Sequence, residues 1–229
     1  ISKGLPPGTS FKIMEDVRKG RGLKEEYIAM MKNNNVPDFY INSCQLIKYL
    51  FPKGHAVAYV TMAVRVGYFK VYYPLEFYCV FFSVRSKQYD IQTMIDGKDA
   101  IIKKIVELDG KVKGKEKLST KEAEQLKTLH IALEMYQRGY KIGNINLYKS
   151  DSSNFVVDKE NKCLIPPFST VDQLGENNAQ TVVEARKEGP FTSKKDLLRR
   201  TKLSQTNVEA LSQMHVLDEL DEDDQLTLF

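Results

Sequence analysis

Cysteine and histidine are scarce, with three of each in 229 residues. Cys44, Cys79 and Cys163 stand far apart and form no C-x-x-C pair, so neither a structural zinc site nor a disulfide framework is indicated. A reducing, cytoplasmic setting is expected. No apolar span is free of charge: the longest run, Ala56 to Tyr73, approaches membrane-spanning length but contains Arg65 and Lys70, with Lys53 and His55 just ahead. A buried core helix is expected there, and no membrane. The opening residues lack the basic-then-apolar character of a signal peptide, and the first residue is isoleucine, so a piece of a longer protein is expected.

A hydrophobic fraction of 42% is ample for a folded chain. The net charge of +4 conceals an asymmetry. Residues 203–229 hold seven acids and no Lys or Arg, which leaves +11 on residues 1–202. A basic body with an acidic end suits a polyanion for the body and a different partner for the end.

The pattern is mainly α. Thr9 and Ser10 are cap candidates for a helix through Phe11, Met14 and Val17 that Gly20 closes; a second runs from Leu23 to Met31, and Asn33-Asn34-Asn35 breaks it. Pro37 opens a third, ended by Phe51-Pro52. The long helix follows from about His55, and Pro74 stops it and starts another. Ser119 and Glu122 form a capping box for a helix through Leu126, Leu129, Leu133 and Tyr136, stopped at Gly139. Phe155–Val157 and Cys163–Ile165 flank polar residues 158–162 and predict a small β-hairpin. From Pro166 come short helices over 178–186, 194–199 and 204–213, and no repeat of a fixed longer period is visible.

Three stretches carry chemistry. Residues 171–191, VDQLGENNAQTVVEARKEGPF, resemble a helix-hairpin-helix motif, whose hydrophobic-x-Gly-hydrophobic-Gly turn precedes a helix and presents N–H groups to a DNA phosphate. Leu174 and Gly175 form the second half of that turn, Asn177 opens the helix, and Arg186 and Lys187 form its basic end; Gln173 stands where the pattern has its first glycine. Such motifs hold the backbone and carry no sequence specificity. An ordinary αα-hairpin is the alternative. In the second stretch, Lys53, His55 and Tyr59 lie around the first turn of the long apolar helix, where they could meet a phosphate and stack on a base; a cap residue and a core residue are the plainer reading. The third stretch is the acidic run ending in Gln225-Leu226-Thr227-Leu228-Phe229.

Taken together, GLPPGTSFKIMEDVRKGRG, VPDFYINSCQLIKYLFPKGHAVAYVTMAVR, FYCVFFSVR, NINLYKSDSSNFVV, VVEARKEGPFTSKKDLLRR and the final QLTLF resemble the C-terminal part of a C-family bacterial replicative DNA polymerase of the PolC type. That resemblance implies a fingers segment over 1–90, with Lys53, His55 and Tyr59 near an incoming deoxynucleoside triphosphate. It further implies a basic helical connector over 91–150, a helix-hairpin-helix duplex-binding region over 151–217, and an extended acidic tail over 218–229. The metal-holding palm aspartates of the family would lie upstream, so Mg is expected for the full polymerase and no cofactor, metal or catalytic residue for this stretch, which is predicted inactive alone. Asp16, Asp38 and Asp90 read as caps and surface charges.

QLTLF resembles the bacterial sliding-clamp binding pentapeptide. Gln225 offers an amide that donates and accepts, while Leu226, Leu228 and Phe229 offer apolar anchors worth about 4 kcal/mol before ordering costs, hence micromolar affinity. The acids ahead of it are expected to stay extended, repelled by DNA. The rival from another class is a stand-alone, non-enzymatic DNA-binding accessory protein that rides the clamp; a scaffold that binds no DNA is a third.

Overall fold

The structure, a computed structural model, describes residues 4–223. Two compact units divide the chain, Ile1–Val66 and Gly67–Phe229.

The first unit contains α1 (Pro7–Arg18), α2 (Glu25–Asn33), α3 (Asp38–Leu46) and the start of α4 (Lys53–Tyr72). Its core joins Leu5, Ile13, Tyr27, Met31, Val36 and Ile41. The start of α1 corrects the sequence reading: Pro6 is the N-cap and Thr9 and Ser10 lie inside the helix. Proline at the first helical position has its φ preset and lacks an N–H that would be orphaned anyway, so no hydroxyl cap is needed. Gly20, at φ +70°, follows α1; a Cβ there would stand 1.9 Å from the Lys48 carbonyl oxygen, so only glycine fits. Helix α3 ends at Leu46 rather than at Phe51-Pro52. Asp16 is not a surface charge: it is buried and pairs with Arg21 at 3.2 Å.

Helix α4 overturns the expectation of a core helix, for none of its twenty residues is buried. Valines, tyrosines and alanines point in every direction, so no single stripe turns the helix onto a core; a helix apolar all round is covered only when it is surrounded. Among the described residues no helix is long and apolar enough to cross a membrane.

The second unit holds two cores. The first gathers Tyr78, Phe82, Met94, Ile101, Leu129 and Met135 from α5 (Pro74–Val80), a π-helical turn (Phe81–Arg85), α6 (Ile91–Asp96), α7 (Lys98–Lys113) and α8 (Thr120–Gln137). Residues 74–85 therefore pack with α6–α8, a grouping by compactness that differs from the functional segments expected above. The expected capping box opens α8, with the Ser119 hydroxyl accepting from the Glu122 N–H and the Glu122 carboxylate accepting from the Ser119 N–H. The expected hairpin is present as β2 (Val156–Asp158) and β3 (Cys163–Ile165). A two-residue strand, β1 (Lys141–Ile142), pairs in parallel with β3 to give the order β1-β3-β2.

The second core joins Phe168, Leu174, Ala179, Val182, Leu197 and Leu211, beneath α9 (Glu176–Ala185), α10 (Lys194–Arg200) and α11 (Gln205–Gln213). Ile145 and Leu147 of the loop after β1 complete this core, and the turns of the helical layer form the candidate site.

Candidate nucleic-acid interface

The first hairpin turn is made by Val171-Asp172-Gln173-Leu174. The Leu174 N–H donates to the Val171 carbonyl at 3.1 Å, and Gln173 takes φ +65°. A turn whose third residue needs positive φ is where glycine is favoured, and a glutamine held there costs about 1 kcal/mol. The loop nevertheless keeps the glycine conformation, because its surroundings hold it: Leu174 is buried in the second core, and the Gln173 carbonyl accepts from the Asn207 side-chain amide at 3.2 Å. The missing glycine thus leaves the backbone path intact. Gly175 is the N-cap of α9 and supplies no side-chain cap, so the N–H groups of the first turn, at Glu176 and Asn177, face out from a positive helix end.

A second helix start repeats the sequence pattern of the first, without its positive-φ turn. Leu203-Ser204-Gln205-Thr206-Asn207-Val208 matches Leu174-Gly175-Glu176-Asn177-Asn178-Ala179 in the pattern Leu-small-x-x-Asn-apolar, and in both cases the leucine is buried and the small residue is the N-cap. The sequence reading found no repeat; the signal was present in this spacing but weakened by serine in place of glycine. Ser204 caps α11 through a box with Asn207, whose amide also reaches Gln173 in the first turn. That bond sets the start of α11 beside the first turn, and the Lys202 N–H donates to the Thr181 hydroxyl in the middle of α9 at 3.0 Å. Lys202 and Ser204 are the residues that sequence reasoning missed.

A buried carboxylate braces this layer. Asp196 accepts from Arg199 at 2.5 Å, from Arg200 at 3.1 Å and from the Thr192 N–H at 3.2 Å. Burial pushes the Asp196 carboxyl up, but the Thr192 backbone and the two guanidiniums outweigh it and hold the group below its usual range. Arg200 also donates to the carbonyls of Ala185, Gly189 and Pro190 and lies over the Phe191 ring at 4.6 Å, which ties the end of α9 to α10.

The expected DNA-binding residues fall into two groups. Gly175 and Asn177 are exposed at the start of α9, and Lys187 is exposed beyond its end. Leu174 and Arg186 turn inward. The Arg186 guanidinium donates to the carbonyls of Leu147 at 3.0 Å and Ser150 at 2.7 Å, and burial lowers its pKa; its visible work is to pin the loop after β1.

Lys53, His55 and Tyr59 are exposed on the first turns of α4. His55 stacks on Phe51 at 5.0 Å and meets Tyr59 at 4.2 Å, while Tyr49 packs edge-on against Phe51 at 4.8 Å. Four aromatic rings thus form an exposed ladder beside a lysine. Gln225, Leu226, Leu228 and Phe229 lie outside the described residues. The acidic run is described as far as Asp223, and that part is docked: Asp221 and Glu222 carbonyls accept from the Lys194 and Lys195 N–H groups, and Lys194 and Lys195 pair with Glu222 and Asp223. Two lysines at the start of α10 attract carboxylates that the sequence alone left in solvent.

Comparison with known proteins bears on both regions. Residues 139–226 match a family model described as a helix-hairpin-helix motif. The protein "DNA polymerase III PolC-type" of Oceanobacillus iheyensis is 49% identical over the whole chain, and that of Bacillus subtilis is equally so. The protein of the same name from Streptococcus sanguinis is 51% identical. The whole chain is homologous to PolC-type DNA polymerase III. It spans 16% of the length of each of these relatives. The PolC-type relatives thus match the first unit and the hairpin layer alike.

Proposed function

We propose that this chain is the part of a replicative DNA polymerase that holds duplex DNA through its paired hairpin turns, contributes contacts to the incoming deoxynucleoside triphosphate from α4, and ties the enzyme to its sliding clamp through residues 225–229. The observation that carries the proposal is the first turn: Gln173 adopts the left-handed backbone that the motif asks of glycine, and Gly175 opens α9 without a side chain in the way. N–H groups at a helix start bind phosphate whatever the base, which suits an enzyme that translocates. Lys53 would meet a phosphate, and the His55–Tyr59 ladder would meet a base or sugar. Phosphoryl transfer needs carboxylates on two metal ions, a role we assign to the remainder of the longer polymerase, so the purified chain should not incorporate nucleotides.

The test is duplex affinity against salt for the chain and for Gly175→Asp. A Cβ at Gly175 meets nothing within 4 Å and its φ is −67°, so the aspartate is sterically free and caps the helix while placing a carboxylate where phosphate would sit. A tenfold or greater loss of affinity is expected; unchanged affinity would overturn the hairpin assignment. Deleting 225–229 should abolish binding to the purified clamp, and equal affinity would remove the tail from the proposal.

A further inference from the structure

A cationic cavity lies between the end of the π-helical turn and α8. At the end of the π-helical turn, Arg85, Ser86 and Lys87 face Glu124, Lys127 and Thr128 of α8 across a cavity of about 430 Å³. Three cations oppose one carboxylate there. Lys127 pairs with Glu124 at 2.7 Å, which leaves Arg85 and Lys87 as its unbalanced charges; among the described residues Arg85 has no ion-pair partner. The Ser86 hydroxyl is buried without a hydrogen-bond partner. A buried orphan hydroxyl costs about 1–3 kcal/mol, which an acceptor entering beside Arg85 and Lys87 would recover.

The loop that carries these groups is built. Tyr89 donates to the Phe82 carbonyl, and Gln125 of α8 donates to the Tyr89 carbonyl at 2.8 Å. Lys87 also lines a second cavity of about 440 Å³ whose other wall is formed by Ser169, the hairpin residues Asp172 and Gln173, and Gly175. Its one carboxylate, Asp172, is paired with Lys121 at 3.2 Å. One lysine therefore lines both cavities and links the Arg85 cavity to the one walled by the hairpin turn.

We infer that Arg85, Ser86 and Lys87 form a second phosphate-binding site, occupied by a backbone phosphate of the same nucleic acid that the hairpin holds. The inference rests on the hairpin reading for its ligand. Two anchors on one strand fix its direction across the protein, where one turn alone leaves it free to pivot. Ser86 donates to a phosphate oxygen, and Arg85 and Lys87 supply the charge.

The experiment is duplex binding by the 229-residue chain at several salt concentrations, with Arg85→Ala/Lys87→Ala compared with Gly175→Asp and with Lys103→Ala/Lys113→Ala, which removes two α7 lysines that line neither cavity. The expected result is a tenfold or greater loss for R85A/K87A, with the log–log salt slope shallower by about 2, and less than a twofold loss for K103A/K113A. Equal losses in the two double variants would overturn the site, leaving only diffuse charge. If G175D weakens binding and R85A/K87A does not, the hairpin stands and the second site falls; if R85A/K87A weakens it and G175D does not, the second site stands and the hairpin reading falls. Titration with a deoxynucleoside triphosphate covers the other source of phosphate: triphosphate binding lost in R85A/K87A with duplex affinity intact would also overturn the assignment.

Discussion

Helix α4 is far more apolar than the helices of the hairpin layer, yet it is the hairpin layer that is buried. The hairpin layer buries Leu174, Leu197 and Leu211 and satisfies its one buried carboxylate with two arginines and a backbone N–H. Helix α4 buries nothing and leaves Val60 61% and Val64 66% exposed. The contrast teaches that apolar composition alone does not make a core: the hairpin helices have one apolar face each and can close on one another, whereas α4 is apolar all round. The chain spans 16% of its relatives' length, and α4 presents an apolar surface that nothing among the described residues buries.

Single substitutions test the contrast between the two regions. Leu197→Ala, at a fully buried position, should destabilise the chain by about 3 kcal/mol in urea unfolding. Asp196→Asn should cost about 2 kcal/mol, less than a fully buried pair because Arg199 is largely exposed. Its pH signature follows from the depressed carboxyl: the contribution is fully present above the ordinary aspartate range near pH 4 and is lost as pH falls through the lower folded value. Acid titration of stability should therefore be flatter in the Asn variant, and identical curves would remove Asp196 from the brace. Ser86→Ala should stabilise the DNA-free chain by about 1 kcal/mol, since it deletes an orphaned hydroxyl; destabilisation would mean that the hydroxyl has a partner. The smallest effect belongs to α4. Val60→Ala and Val64→Ala should each change stability by less than about 0.5 kcal/mol, and a loss approaching that of Leu197→Ala would show that α4 is covered after all.

Much of this architecture was legible in local residues. The Ser119–Glu122 box announced α8, and the apolar pair of runs around residues 158–162 announced the hairpin. Strand β1 was not legible, because two residues carry no periodicity and the strand exists only through its pairing with β3 some twenty residues on. The site divided in the same way. Gly175 and Asn177 could be read from a motif, but nothing in the sequence near Arg186 shows that carbonyls of the loop after β1 claim it, or that Lys87 lines the same cavity as Gln173.

Local order was written into the residues themselves: helix type, the capping box, the hairpin motif, the charge asymmetry and kinship with PolC-type polymerases. Each depends on neighbours within a few residues or on a string compared with other strings. Tertiary structure decided which apolar helix became core, which arginine was turned inward, how a glutamine keeps a glycine's conformation, and where Asp221–Asp223 came to rest. Those outcomes depend on packing and hydrogen bonds between residues far apart in the chain, where the energy of a contact is set by what else is buried beside it.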